Sequence, residues 1–455
     1  MRRIGILCLG IFLLAGCSSN EVLVAHSVSL VPATETIPEE QLLDVSVVIF
    51  DPGVPEGEVD KEVLEELIRD GTFVHIRRTE ARYMAVQLKD TLQKSGHWGA
   101  VWVTPNASSA ADLNIAAEIL HSDGDRIRLD VQAVDASGRV WLDDEYGMQT
   151  AAGAYNRQRY PDLDPYQDVF NSIANDLAAA REQLSPGEAA NIRTVSQLRF
   201  AGELSPEAFA EYVEQNGRGV FELKRLPAED DPQFSRSQRV REREHLFVET
   251  LNEHYSDFYL DAGDSYDGWR EYAREEAIAI RELQRSSRWR TGLGIASIVA
   301  SVLYGANSDG DFSDRVVRDA MMYMGMDMIR TGAVRREEKR LHTASLEELS
   351  TSFDDEVKPM VVEIQGTQHR LTGTADVQYE EWRELLRQLY ISETGFVPDI
   401  DIYTEPFEEP IPDDGLEPIA VDVESLEAEG EEPAEAVEAA ETAAEVPAEE
   451  VTADI

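Results

Sequence analysis

Catalysis or metal binding needs particular side chains at short spacing, and few sets in this chain qualify. His245, Glu249 and Glu253 fall four residues apart, so a helix would carry them on one face. Imidazole and carboxylate can hold zinc, but zinc helices present a tighter histidine pair. A solvated polar face is the expectation here. Asp309, Asp311 and Asp314 in "DGDFSDRVVRD" could offer oxygens to calcium, yet the loop lacks the spacing and closing Glu of an EF-hand. No Gly-x-Ser-x-Gly elbow, phosphate loop or dinucleotide fingerprint occurs, and no carboxylate pair stands out among 89 acids. The expectation is a non-enzymatic protein with no catalytic residue, cofactor or metal. An enzyme without a recognisable motif is the least favoured alternative.

The remaining reactive group is a thiol. The cysteines are Cys8 and Cys17, and Cys17 follows "LLAG" close to the start. Arg2 and Arg3 precede an apolar run from Ile4 to Leu14, the layout of a secretory signal peptide. Leu14-Ala15-Gly16-Cys17 resembles the lipobox of bacterial lipoproteins. The resemblance implies removal of residues 1–16 and acylation of Cys17, palmitate included, as the first residue of the mature chain. It further implies that Ser18, where an aspartate would retain the protein at the inner membrane, sorts it to the outer membrane, facing the periplasm. Cys8 would leave with the signal peptide, so the mature chain would have no free thiol and no disulfide.

Composition narrows the partners. The formal charge is −48, and 22 acidic residues lie from Glu393 onward with no lysine or arginine after Arg387. The rest of the chain is acidic too. Nucleic acid and anionic lipid headgroups need basic footprints, so neither is an expected partner surface. The expected partners are the membrane, through lipidated Cys17, unidentified envelope proteins, and further copies of the chain.

The elements that would position any site follow from periodicity. The fold class expected is α+β: a small amino-terminal α/β domain with an antiparallel or mixed sheet and two helices, a mainly α-helical region with a short carboxy-terminal β-hairpin, and a disordered acidic tail. Residues 17–43 read as a flexible tether reaching about 25–30 Å. In the α/β domain, residues 44–150, "LLDVSVVIFD" is a buried strand, "VDKEVLEELIRD" a helix stopping at Asp70-Gly71, and Ala81, Met84, Ala85, Leu88 and Leu92 mark a second helix ending near Ser95-Gly96. Three antiparallel strands follow a short one, with Ile127, Leu129, Val131 and Ala133 alternating with polar residues.

The order of strand, helix into "SGHWGAVWV", "ADLNIAAEI" strand and hairpin ending "VDASGRVWLDDEY" resembles the small α/β domain of TolB, CsgG and LpoB type. That resemblance implies a protein-interaction module of the cell envelope. The membrane hairpins of the CsgG type are not evident, so no pore is implied.

Residues 151–235 read as a helical connector. Ser185 and Glu188 are spaced as a capping box, and Ser205 to Gly217 reads as one helix. Residues 236–345 read as long helices with the stripe Phe247, Leu251, Tyr255, Phe258 and the stripe Trp269, Ala273, Ala277, Ile280, broken at "LDAGDSYDG". Within them, Thr291 to Ala306 is the most apolar run, about 24 Å as a helix against a bilayer core of about 30 Å. With "VVRDAMMYMGMDMIRTGAV" it forms an expected helical hairpin over 291–334, buried, membrane-dipping or oligomerising. Residues 346–395 read as a β-hairpin plus a helix with Trp382, Leu385, Leu386 and Leu389 on one face. Residues 396–455 are low in complexity and expected to be disordered. The functional expectation is a scaffold or regulator of an envelope assembly. The alternative is a self-oligomerising component of an export assembly.

Overall fold

The computed structural model describes residues 20–285 and 360–394, apart from positions 25–26, 56, 58, 70, 152, 157–162, 229 and 365–366. Cys17, Ser18, the apolar hairpin expected over 291–334 and the tail 396–455 lie outside the described residues.

The protein is α+β. Its elements run β1 (Asn20–Leu23), β2 (Val45–Val48), α1 (Lys61–Arg69), α2 (Val74–Ser95), β3 (Val101–Thr104), β4 (Leu113–Ser122), β5 (Arg126–Asp135), β6 (Val140–Gln149), α3 (Gln167–Glu182), α4 (Pro186–Leu204), α5 (Pro206–Phe209), β7 (Val213–Gln215), β8 (Phe221–Leu223), α6 (Pro232–Arg285), β9 (Met360–Ile364), β10 (Thr367–Leu371) and α7 (Ala375–Thr394). The principal sheet is mixed, in the order β1-β6-β5-β4-β2-β3. β4, β5 and β6 are antiparallel neighbours, while β2 is parallel to both β3 and β4, and β1 is parallel to β6.

Alternation decides which face of this sheet is closed. Ile115, Ala117 and Ile119 of β4, Ile127, Leu129, Val131 and Ala133 of β5, and Tyr146 of β6 are buried. They lie on the side of α2 and α3, whose apolar stripes (Met84, Ala85, Leu88, Leu92 and Val169, Phe170, Ile173, Ala174, Leu177) are buried too. The turns close as the Asp/Ser/Gly punctuation implies: Gly124 and Gly138 have φ of 80° and 83°, where a side chain is strained. The capping box at Ser185 and Glu188 is formed.

Residues 17–43 were expected as a free tether, and their described part departs from that. Residues 20–23 form β1, with Asn20 opposite Asp144 and Leu23 opposite Gly147. An extended strap then crosses α3. Asp168 accepts from the Ser27 and Val28 amides (2.9 and 3.0 Å), Asn171 donates to Val28 O (2.7 Å), and Asn175 accepts from the Val31 amide (2.8 Å) and donates to Ser29 O (3.0 Å). These side chains supply the partners that a solitary extended chain would otherwise take from water.

Two further departures are local. Ser205 to Gly217, expected as one helix, is a single turn, α5, followed by the hairpin β7–β8. Asn216 turns that hairpin by accepting from the Arg218 and Val220 amides. The break expected at "LDAGDSYDG" does not occur, because α6 runs unbroken for 54 residues, about 80 Å. Ala262, Tyr266 and Trp269 bury against Ile76 and Tyr83 of α2, and this packing outweighs the weak helix propensity of Asp and Gly.

Residues 151–235, read as a connector, are joined to the β5–β6 turn: Arg199 donates to Ala136 O (2.7 Å) and the Phe221 amide to Ser137 O (2.7 Å). α7 packs on α6, where Trp382 and Tyr379 stack on Phe247. The strands β9 and β10, an antiparallel hairpin, belong to a second compact unit. Among the described residues no helix is long and apolar enough to cross a membrane.

Candidate functional site

Two groups of buried polar side chains seat α6. In the first, Glu80 on α2 accepts from Ser122 Oγ (2.6 Å) and Tyr266 OH (2.8 Å). Burial pushes its carboxyl above the ordinary range, with Arg77 opposing the shift. Arg270 is almost fully buried. Its guanidinium donates to both oxygens of Asp164 (3.1 and 2.8 Å) and also to Asp267. It also lies over the rings of Tyr266, Tyr166 and Tyr83, at 4.2, 5.3 and 5.6 Å from their centroids.

In the second group, Glu244 accepts from Tyr379 OH (2.9 Å) and Ser108 Oγ (3.3 Å), and burial pushes its carboxyl up. Arg241 reaches Ala110 O (2.6 Å), Ser196 Oγ (3.3 Å) and Asp112 (3.4 Å). Burial raises Asp112 to about 6, against the pull of Arg241. A carboxylic acid kept neutral can act as a general acid only if it reaches a substrate. Glu80 and Glu244 are 0% and 1% exposed, and their partners lie within the fold. These groups hold α6; they do not form an open site.

The sequence-predicted candidates are not brought together. His245 turns inward, its ring tilted 39° against Trp102 (4.6 Å between centroids) with Nε2 at 3.4 Å from Ala110 O, and burial lowers it to about 4. Glu249 and Glu253 are exposed. Among the described residues no group of three or more His, Cys, Asp or Glu side chains could hold a metal ion. Asp309, Asp311 and Asp314 lie outside the described residues.

One surface does gather charged residues from separate elements. The sheet face opposite α2 and α3 is open across β4, β5 and β6, where Ala116, Glu118, Leu120, Arg128, Gln132 and Asp143 are exposed. Register places Glu118 directly opposite Asp130, and Asp130 directly opposite Glu145. Three carboxylates therefore stand in one row across three strands. Like charges directly opposite destabilise a sheet. Compensation comes from Arg128, whose Nε donates to Glu145 (2.5 Å). Beside Glu118, Asp51 forms a lone parallel bridge. The row was legible in principle, since each acid sits in the polar phase of its strand and both turns were recognised, but nothing pointed to their alignment. The α6 seat was not legible: Glu80, Asp164, Glu244, Arg270 and Tyr379 read as ordinary helix or loop residues.

Searches against protein-family models, curated proteins and solved structures returned no match.

Proposed function

We propose that this is a lipid-anchored protein of the bacterial outer membrane, acylated at Cys17, sorted by Ser18 and facing the periplasm. It scaffolds or regulates an envelope assembly without catalysis, and its open sheet face is the contact surface. The row Glu118–Asp130–Glu145 carries this reading. An arrangement that costs stability, with Glu118 exposed and Asp130 and Glu145 half-buried beside it, suits a basic protein partner, whose cations would relieve the repulsion. The resemblance of residues 44–150 to the TolB-type module points the same way, and so does the lipobox.

The test is crosslinking in native membranes followed by capture of the full chain. A stoichiometric envelope partner is expected, lost when Glu118→Gln, Asp130→Asn and Glu145→Gln are combined. It should be retained when the exposed α6 acids Glu249 and Glu253 become Gln. Equal recovery in both variants removes the sheet face from the proposal. Recovery of large complexes of this chain alone transfers the reading to a self-oligomerising export component. Mass spectrometry of the amino-terminal peptide checks the lipid at Cys17.

A further inference from the structure

We propose that the α/β body is held directly against the bilayer by its edge strand β1, and that no free tether separates it from the lipid. The inference rests on acylation of Cys17. Residues 17–43 would allow a separation of about 25–30 Å if they were flexible. Their described part is not free: β1 is zipped to β6 over Asn20–Asp144, Glu21–Glu145, Val22–Tyr146 and Leu23–Gly147. The Val24 amide then bonds Gly147 O (2.8 Å), and Asp168, Asn171 and Asn175 hold the strap from Ser27 to Val31. Only three peptide units separate Cys17 from Asn20, and together they span at most about 11 Å.

The acyl chains must enter the lipid at Cys17, so Asn20, where β1 begins, lies within about that distance of the headgroups, and Leu23, three strand residues further on, within about 21 Å. β1 is the edge strand of the principal sheet, and Leu23 at its end is 79% exposed. The acyl chains, and not a basic footprint, bring this edge to the lipid surface. Strands in a sheet lie about 4.8 Å apart, so Asp51, just beyond the end of β2, is some four spacings from β1, or about 19 Å. The body would therefore stand with one sheet edge at the bilayer and the rest of the sheet rising from it. Its acidic face would then be displayed at a set height.

The experiment uses the full acylated chain in vesicles of phosphatidylethanolamine and phosphatidylglycerol carrying a headgroup-linked energy acceptor. A donor is placed on Leu23→Cys or on Asp51→Cys. Once acylated the mature chain holds no other free thiol, so labelling is specific. Transfer should be strong from position 23 and clearly weaker from position 51. Inserting 20 Gly/Ser residues between Ser19 and Asn20 adds a reach of about 25 Å and should abolish the difference. With acylation verified by mass spectrometry, equal transfer from both positions, or no effect of the insertion, overturns the proposal and leaves the lipoprotein reading intact. An amino-terminal peptide without lipid overturns both.

Discussion

The Asn252 side chain on α6 occupies the place of a neighbouring strand for Val103. Its Oδ1 accepts from the Val103 amide at 2.7 Å, and its Nδ2 donates to the Val103 carbonyl at 3.0 Å. Val103 lies on β3, the edge strand opposite β1 in the sheet order. An unpaired edge invites pairing with another chain, and here one amide from a long helix closes it.

Replacing Asn252 with Ala should therefore leave two buried backbone groups unpaired. The expected loss is about 3 kcal/mol, read as a lower urea midpoint at unchanged slope. An unchanged midpoint would show that water replaces the amide.

Arg270 and Asp164 form a buried, bidentate ion pair among tyrosine rings. Arg270→Ala should cost about 3–5 kcal/mol, because it strands the carboxylate of Asp164 away from water. Adding Asp164→Ala to it should recover part of that loss. A double-mutant cycle in urea measures the coupling, and strict additivity of the two losses would refute it.

Gly124 sits beneath α6. A Cβ there would meet Arg270 O at 2.1 Å and Arg274 N at 2.7 Å, at a φ of 80°. Gly124→Ala should cost at least about 2 kcal/mol through backbone strain, before any shift of the helix is counted. Hydrogen exchange should rise first near Arg270 to Arg281, where Arg281 otherwise pairs with Asp123 at 2.9 Å and with Asp125. Uniform exchange along α6 would count against this local contact.

The acidic row on the open sheet face makes a prediction of opposite sign. Combining Glu118→Gln, Asp130→Asn and Glu145→Gln should raise thermal stability, by about 1 kcal/mol, because cross-strand repulsion is removed. The gain should shrink in high salt. A loss of stability would mean that the Arg128–Glu145 bond outweighs the repulsion.

The half-buried His245 and the buried Asp112 give opposed dependences on pH. His245 is lowered from 6.5 to about 4 by burial, with Arg241 adding to the shift. Its contribution is complete above pH 6.5 and is lost as pH falls through about 4. Asp112 is raised from 3.8 to about 6 by burial, so its contribution is complete below pH 3.8 and is lost as pH rises through about 6. Urea unfolding across pH 3.5–7 should show His245→Phe flattening the acid-side loss and Asp112→Asn flattening the opposite slope. NMR titration should find the His245 ring neutral at pH 5.5.

Local periodicity was enough to read much of the fold. The alternation of Ile127, Leu129, Val131 and Ala133, the stripe from Val169 to Leu177, and the box of Ser185 and Glu188 each rest on contacts within one element or one turn. Long-range packing decided the rest. Asp and Gly between Leu260 and Gly268 signal a break, but Ala262 and Tyr266 gain more by burial on α2 than the helix loses there. Residues 20–43 have too little periodicity to declare a strand or a strap. Their long-range hydrogen-bond partners lie about 55–155 residues away, at the end of α2 and just beyond it, and on β6, α3 and α4. The placing of Arg270 against Asp164, of Asn252 against Val103, and of three carboxylates in one row likewise depends on register and helix docking. Residue types determine which groups can meet, while the tertiary fold determines which of them do, because burial and pairing across distant elements set those positions.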